Sequence, residues 1–318
     1  MRSLLFALSI VVFSLSCSHP PKADSAGASN LRKPVAIIVE KEISGTVLGL
    51  RLLAPLGLAV DNTGTMYLVD SGNDRLIRFN DDLEPTKDIG GHGSQPGLFD
   101  QPTYVTVDND LNLYIADVGN RRVCRHNRRL EYVDEIKLES EDEPFLLSRP
   151  TGLAVSDYGE LWMCDEENSR IATFNNIGQF DRFIGGYGYS GGSLRSPQKL
   201  TRLNRGDFVV CDAGNRRLVY YDQYGNFDRE IKTPELDFPS SLVKDSDGRL
   251  WVLDRQLSAL DCLSPKGTQL YLISERLPGS DLDLNAPTDL ALPRDGRLLI
   301  SDTGNNRVLV CKIVNEEL

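Results

Sequence analysis

Aspartate, asparagine and arginine recur at one fixed spacing along this sequence of 318 residues. The pattern Asp-x-x-Asn-x-Arg occurs as Asp70/Asn73/Arg75, Asp117/Asn120/Arg122, Asp165/Asn168/Arg170, Asp212/Asn215/Arg217 and Asp302/Asn305/Arg307. A carboxylate, an amide and a guanidinium repeated in this way could do two kinds of chemistry. Arginines converging on one point would bind an anion. Alternatively, each carboxylate accepts hydrogen bonds from loop N–H groups, each asparagine caps a turn, and each arginine returns across its hairpin to carboxylate and carbonyl oxygens. The second, structural role is favoured, because every charge has its opposite within the same motif.

Other chemistry-bearing residues are sparse or scattered. The three histidines, His19, His92 and His126, are too few for a histidine-rich metal centre. His126 takes the place that Phe79, Phe174 and Tyr221 hold elsewhere, which predicts a packed ring. Cys164 and Cys211 precede motif aspartates where other copies carry Val69, Ala116, Leu253 and Ser301, so they are expected to behave as small buried hydrophobes. Cys124, Cys262 and Cys311 fall on third strands, and no cysteine spacing makes a disulfide framework or a metal knuckle. A hydrophobic fraction of 40% supports a core and excludes wholesale disorder. With 35 Lys+Arg against 46 Asp+Glu, the net charge of -11 argues against a nucleic-acid backbone as partner.

The elements that position these residues are short strands. Proline recurs at 55, 102, 150, 197, 239 and 287, and an aspartate follows each after 15 residues, at 70, 117, 165, 212, 254 and 302. The aspartates step by 47, 48, 47, 42 and 48 residues. A constant inner interval with an elastic outer one is what paired strands joined by variable loops produce. Within one unit, Gly57–Asp61, Met66–Asp70, Arg75–Phe79 and Pro85–Ile89 read as four strands separated by turn residues. The chain is therefore expected to be all-β, with six four-stranded units arranged as a six-bladed β-propeller, which closes radially and leaves only short edges. The last unit lacks a fourth strand, and the β-rich run Pro34–Glu40 can supply it, closing the ring.

The N-terminus reads as an address. Arg2 precedes the apolar run Leu4–Leu15, which ends at Ser16-Cys17. This resembles a bacterial lipoprotein signal, which implies that residues 1–17 are a signal with Cys17 as the acylated residue. Residues 18–34, rich in Pro, Ala, Ser and Gly, read as a flexible tether, and 35–318 as the propeller. Loss of the signal removes Arg2 alone and leaves 34 basic against 46 acidic residues, a net of -12. The expected location is a bacterial cell envelope facing periplasm or exterior, or secretion if Cys17 is not acylated.

With the leading proline and the Gly57-Leu58-Ala59-Val60-Asp61 strand, the Asp-x-x-Asn-x-Arg triplet resembles the NHL repeat over about residues 35–318. The connector Gly90-Gly91-His92-Gly93 through Phe99 looks like that family's inter-blade loops. The resemblance implies an NHL-type propeller. Some NHL-like propellers are amidating lyases that hold zinc with several channel histidines, a set this chain cannot supply. The related gluconolactonase and regucalcin group holds a divalent metal with Glu, Asn and Asp, but the acids here form no recognisable inward cluster by spacing. Two units depart from the pattern. The fifth has Leu257 and Ala259 in place of Asn and Arg, and the third carries Glu166-Glu167 where others have a small residue and Gly.

One position diversifies beside a uniform neighbour. Counting each proline as first, the third position reads Gly57, Tyr104, Gly152, Lys199, Ser241 and Asp289, whereas the next is always apolar. In a propeller this stretch lies by the central opening. The candidate ligand mouth is therefore Tyr104, Arg149, Gln198, Lys199, Ser241 and Asp289, with Glu166 and Glu167 nearby. The chain is expected to be a monomeric binding or scaffolding module for a protein, peptide or glycan, attached to the membrane by its lipid alone, with neither catalytic site nor cofactor. The competing expectation is a metal-dependent hydrolase or lyase, gluconolactonase-like or amidating-lyase-like, using calcium or zinc.

Overall fold

The computed structural model describes residues 33–138, 149–188, 190–203, 206–273 and 283–316, so Cys17 and nearly all of the expected signal and tether lie outside it. Within these residues the chain forms six four-stranded antiparallel sheets arranged as a six-bladed β-propeller. Blade 1 runs outward from the axis through Pro55–Val60, Met66–Asp70, Arg75–Phe79 and Pro85–Gly90. Blades 2 to 5 repeat this order, with inner strands at Pro102–Val107, Pro150–Val155, Pro197–Arg202 and Pro239–Lys244. In blade 6 the inner strand is Asp289–Ala291 and the third is Arg307–Asn315. Its outer strand is Pro34–Ile43, which pairs antiparallel with Arg307–Asn315 from Pro34 opposite Asn315 to Ile43 opposite Val308. The two ends of the chain thus complete one sheet.

Each second strand is buried along its whole length, as in Met66–Asp70 and Leu250–Asp254. It has a blade packed on either face, so its side chains read as a continuous apolar run ending in the motif aspartate. Apolar clusters fill all six blade junctions. At the junction of blades 3 and 4, Trp162 stacks on Phe208 with ring centroids 4.0 Å apart. Burying each such large side chain contributes about 1.5–3 kcal/mol.

The turns explain where the strands stop. Asp61 Oδ1 accepts the N–H groups of Thr63 (2.8 Å) and Thr65 (3.1 Å), and Asp108 does the same for Asp110 and Asn112. These Asx turns join inner to second strands on one face of the ring. The opposite face carries the motif loops and the connectors between blades.

Two buried polar residues break the apolar pattern. His126 is fully buried against Phe99 and Tyr132, with neither ring nitrogen hydrogen-bonded among the described residues. Burial, then the charge of Arg122, lowers its pKa from 6.5 to about 4. Asp261 is fully buried on the third strand of blade 5, seven residues after the motif Asp254. The other blades place Ile77, Cys124, Ala172, Val219 and Leu309 at that position. Gln269 Nε2 donates to Asp261 Oδ1 at 2.8 Å, and Oδ2 has no partner among the described residues. Burial, and then the charges of Asp254 and Glu235, outweigh the Gln269 hydrogen bond and raise this carboxyl from 3.8 to about 7.

The two groups act on stability in opposite directions. The folded ring disfavours the His126 cation, so stability is present above pH 6.5 and lost as pH falls toward 4, by up to about 3 kcal/mol. The folded ring favours protonated Asp261, so that stability is present near pH 4 and lost as pH rises through 7, by up to about 4 kcal/mol. Thermal melts should therefore show Asp261→Leu stabilising more at pH 8 than at pH 4.5, and His126→Phe stabilising more at pH 4.5 than at pH 8. A pH-independent gain for either variant would contradict these assignments.

Candidate functional site

The motif residues tie connectors to blades. Asp70 Oδ1 accepts the N–H of Leu53 at 2.8 Å, while its Oδ2 accepts from Asn73 Nδ2 at 2.8 Å and Arg75 Nε at 2.7 Å. The same set recurs around Asp117, Asp212 and Asp302, whose Oδ1 atoms accept from Asp100, Arg195 and Asn285. In each case the donated N–H lies two residues before the recurring proline.

The asparagines differ from the turn caps expected of them. The short 3-10 turns at Ser71–Asn73, Ala213–Asn215 and Thr303–Asn305 carry no side-chain cap. Backbone bonds close them, as from the Asp74 N–H to the Ser71 carbonyl at 3.1 Å. Each amide reaches back to the motif carboxylate instead. Asn120 Nδ2 donates to Asp117 Oδ2 and Asn168 Nδ2 to Asp165 Oδ2, both at 2.8 Å. Asn215 Nδ2 donates to Asp212 Oδ2 and Asn305 Nδ2 to Asp302 Oδ2, both at 2.9 Å. Asn120 and Asn305 also donate to connector carbonyls, those of Gly93 and Asp283, at 2.9 Å. The physical reason is the burial of the aspartate: its carboxylate needs donors more than a turn already closed by its own backbone does.

The guanidinium completes the knot. Arg122 Nη2 donates to the carbonyl of Leu98 at 2.9 Å and Arg307 Nη2 to that of Asp283 at 2.8 Å, both in the incoming connector. Its other arm meets an outer-strand acid, Asp88, Glu135, Glu230 or Glu42, in blades 1, 2, 4 and 6, and in blade 3 Arg170 lies 3.6 Å over the Phe183 ring. These arginines are committed to their own blades and do not converge on the axis.

A second set of bonds runs between blades. Asn306 Oδ1 of blade 6 accepts the N–H of Ala54, and Asp74 Oδ1 of blade 1 accepts that of Gln101, both at 2.7 Å. Ala54 and Gln101 each have positive φ (48° and 52°), a conformation unfavourable for residues with a Cβ that these bonds help to hold.

Of the eight predicted mouth residues, Tyr104, Lys199, Ser241 and Asp289 meet on the axis and are buried there. Lys199 Nζ donates to Asp289 Oδ1 at 2.5 Å and to the Leu290 carbonyl at 2.9 Å. Ser241 Oγ donates to the same Asp289 oxygen at 2.8 Å, and the Leu58 N–H donates to Oδ2 at 2.7 Å. The Tyr104 ring lies 5.3 Å from Lys199 Nζ, and burial followed by the charge of Asp289 raises its phenol well above 10. The variation seen in sequence is complementary packing. A Cβ on Gly57 would stand 2.8 Å from Tyr104 Cα, and one on Gly152 would stand 2.7 Å from Lys199 Cα. At these two positions glycine lets the backbone of the next inner strand, the one that carries Tyr104 or Lys199, come close. The four residues thus form a plug across the channel, lying within it and not at an open mouth.

The other four lie on the motif face, between blades 3 and 4. Gln198 Nε2 donates to Glu166 Oε1 at 2.9 Å, and Arg149 Nη1 lies 3.7 Å from Glu166 Oε2. Glu167 contributes its carbonyl to the hydroxyl of Tyr187 at 3.4 Å, and the Tyr187 side chain is 76% exposed. Elsewhere on that face Asp74, His92 and Asp100 bring ligand atoms within 4.8 Å of one another. His92 Nδ1 stands 3.2 Å from Asp74 and 3.8 Å from Asp100. Two carboxylates can hold this ring as a hydrogen-bonded clasp or share a divalent metal with it. Sequence spacing did not reveal this trio, because connector geometry alone brings Asp100 back to Asp74.

No protein-family model matches the chain, and no curated protein matches it. Solved structures are similar in fold. A streptogramin B lyase superposes with a TM-score of 0.63 at 11% identity, over 86% of this chain and 98% of that one. Virginiamycin B lyase from Staphylococcus aureus gives 0.61 at 15%, over 89% and 90%. Hydrazine synthase of Kuenenia stuttgartiensis gives 0.60 at 12%, over 86% and 99%. At such identities the likeness shows the six-bladed fold.

The plug makes a specific energetic prediction. Breaking one partner of a buried ion pair costs about 3–5 kcal/mol, whereas removing both charges together is far less costly. Lys199→Met should destabilise the ring by that amount, and adding Asp289→Asn should restore part of the loss, because it removes the unpaired charge while its amide oxygen can accept from the Leu58 N–H and its amide N–H can donate to Ser241 Oγ. Denaturant midpoints of the two single variants and the double variant give the coupling; additive losses would show that the pair is not the unit described.

Proposed function

We propose that this chain is an NHL-type binding propeller, anchored through Cys17 to a bacterial envelope, that acts as a monomer and engages a polar protein, peptide or glycan over its motif face. The observation that carries the reading is the cluster of Arg149, Glu166 and Gln198 beside the exposed Tyr187. It offers donors, acceptors and an aromatic surface at one junction, a composition suited to a polar partner. The ionisable groups on the axis, by contrast, satisfy one another.

A metal-dependent lyase or hydrolase is the second reading, favoured by the Asp74–His92–Asp100 trio and compatible with the lyases among the fold neighbours.

A photo-crosslinking residue at position 187, in the chain expressed with its own N-terminus in a bacterial envelope, should give a discrete adduct that disappears with Arg149→Glu. The same residue at Ile177, on the opposite face, should not give it. Identical adducts from both positions would sink the motif-face reading, and Cys17→Ser should release the chain from the membrane fraction. Stoichiometric calcium or zinc in the purified chain, lost on Asp74→Asn, would transfer support to the enzyme reading.

A further inference from the structure

The channel is blind. Beyond the plug, toward the hairpin-turn face, it widens into a hollow of about 230 Å³. Its wall follows from one position of the repeat. Two residues after the diversified position, the six blades carry Ala59, Thr106, Ala154, Thr201, Val243 and Ala291, all of which line the hollow. Small side chains in all six blades leave the axis empty at this level, where Tyr104 and Lys199 fill it one layer below.

The floor is chemically specific. Tyr104 lines the hollow and is only 7% exposed, and the hydrogen bonds that Lys199 and Ser241 make to Asp289 beside it do not use its hydroxyl. Burial keeps this phenol protonated, and therefore a donor, at every physiological pH. Lys199 also lines the floor, but its charge is matched by Asp289 at 2.5 Å. The floor thus presents one unspent donor and no net charge. The mouth is rimmed by Asp108, Asn109, Ser156 and Arg202, with Arg202 paired to Asp157.

We infer that this hollow is a binding site for a small, neutral molecule that enters from the hairpin-turn face and accepts the Tyr104 hydrogen bond through a carbonyl-type oxygen. The wall sets alanine and valine beside Thr106 and Thr201, the latter's hydroxyl spent on the Leu242 carbonyl, and the size suits a molecule smaller than a typical drug. An anion gains nothing from a neutralised lysine. The site lies on the face opposite the Arg149–Glu166–Gln198 cluster and is independent of any partner captured there.

The test uses 6-propionyl-2-dimethylaminonaphthalene, an uncharged fluorophore with one carbonyl acceptor, titrated into the purified chain. One molecule should bind per chain, with blue-shifted emission. Thr106→Phe and Val243→Phe, which fill the hollow from two different blades, should each weaken binding by at least about 100-fold, with the circular dichroism of a folded ring. Tyr104→Phe keeps the ring and removes the donor, and should weaken binding about tenfold. Binding that survives both filling variants would overturn the site. Unchanged affinity in Tyr104→Phe, or tighter binding of the 6-carboxyl analogue than of the ketone, would overturn the assigned chemistry. None of these outcomes depends on the envelope crosslink, so failure here and failure of the motif-face reading are told apart.

Discussion

Everything in this ring depends on six inner strands sharing one axis. Each contributes the same register of side chains to the same level, so the volumes at a level must be complementary. At the plug, glycine on one blade admits the close-packed backbone of the strand that carries tyrosine or lysine on the next, and serine stands beside aspartate. Closure then has to be secured at the periphery. The pairing of Pro34–Ile43 with Arg307–Asn315 gives blade 6 its fourth strand and removes an open edge, while Arg307 links Glu42 on the incoming strand to Asp302 on its own blade.

Between axis and periphery, hydrogen bonds set the angle from one blade to the next. The threonines beside the inner-strand prolines reach forward: Thr103 donates to the Pro150 carbonyl at 3.3 Å and Thr151 to that of Pro197 at 2.9 Å. On the motif face, side chains of one blade hold the turned residue that begins the next. Charged residues that could be mistaken for a polyanion site are therefore used up locally. Asp70, Asp117, Asp212 and Asp302 tolerate burial because each accepts a connector N–H, an asparagine amide and a guanidinium N–H. Those donors offset the cost of removing a carboxylate from water.

The fold was legible because its period is written in residues that cannot drift: proline at the start of an inner strand, aspartate where the second strand ends. The motif was legible as structure but not in its wiring. Spacing placed Asn120, Asn168, Asn215 and Asn305 in the turns, yet only the burial of the neighbouring carboxylate decides that their amides turn inward to it. The axis was half legible. Diversity at Gly57, Tyr104, Gly152, Lys199, Ser241 and Asp289 marked the right level, but sequence cannot say which blade faces which gap, so it read a buried plug as an open mouth. The uniform smallness of Ala59, Thr106, Ala154, Thr201, Val243 and Ala291 was present in the same strands and carries the hollow. It passes unnoticed because alanine, threonine and valine are ordinary strand residues. Asp261 was missed for a similar reason. Only comparison with Ile77, Cys124, Ala172, Val219 and Leu309 shows that it replaces an apolar side chain.

Blade 5 shows how the repeat can lose a part without losing the fold. Elsewhere the guanidinium holds carbonyls of a long incoming connector, as Arg122 does with Leu98 and Arg307 with Asp283. The step into blade 5 is 42 residues where the others are 47 or 48, and the segment between Ile231 and Pro239 is correspondingly short. An arginine there would have little connector to hold. Asp254 instead accepts three backbone N–H groups, from Asp237 (2.7 Å), Phe238 (2.8 Å) and Leu257 (3.0 Å). Its charge is stabilised by the backbone, and Ala259 in place of the arginine leaves no donor unmet. The consequence falls on Asp261, on the same face of the strand two residues further on. With the guanidinium gone and Asp254 ionised close by, the least costly way to neutralise a second buried carboxyl is a proton, the state that its pKa of about 7 describes. Burial is the main cause of that shift, and Asp254, left without the guanidinium that its counterparts have, adds to it.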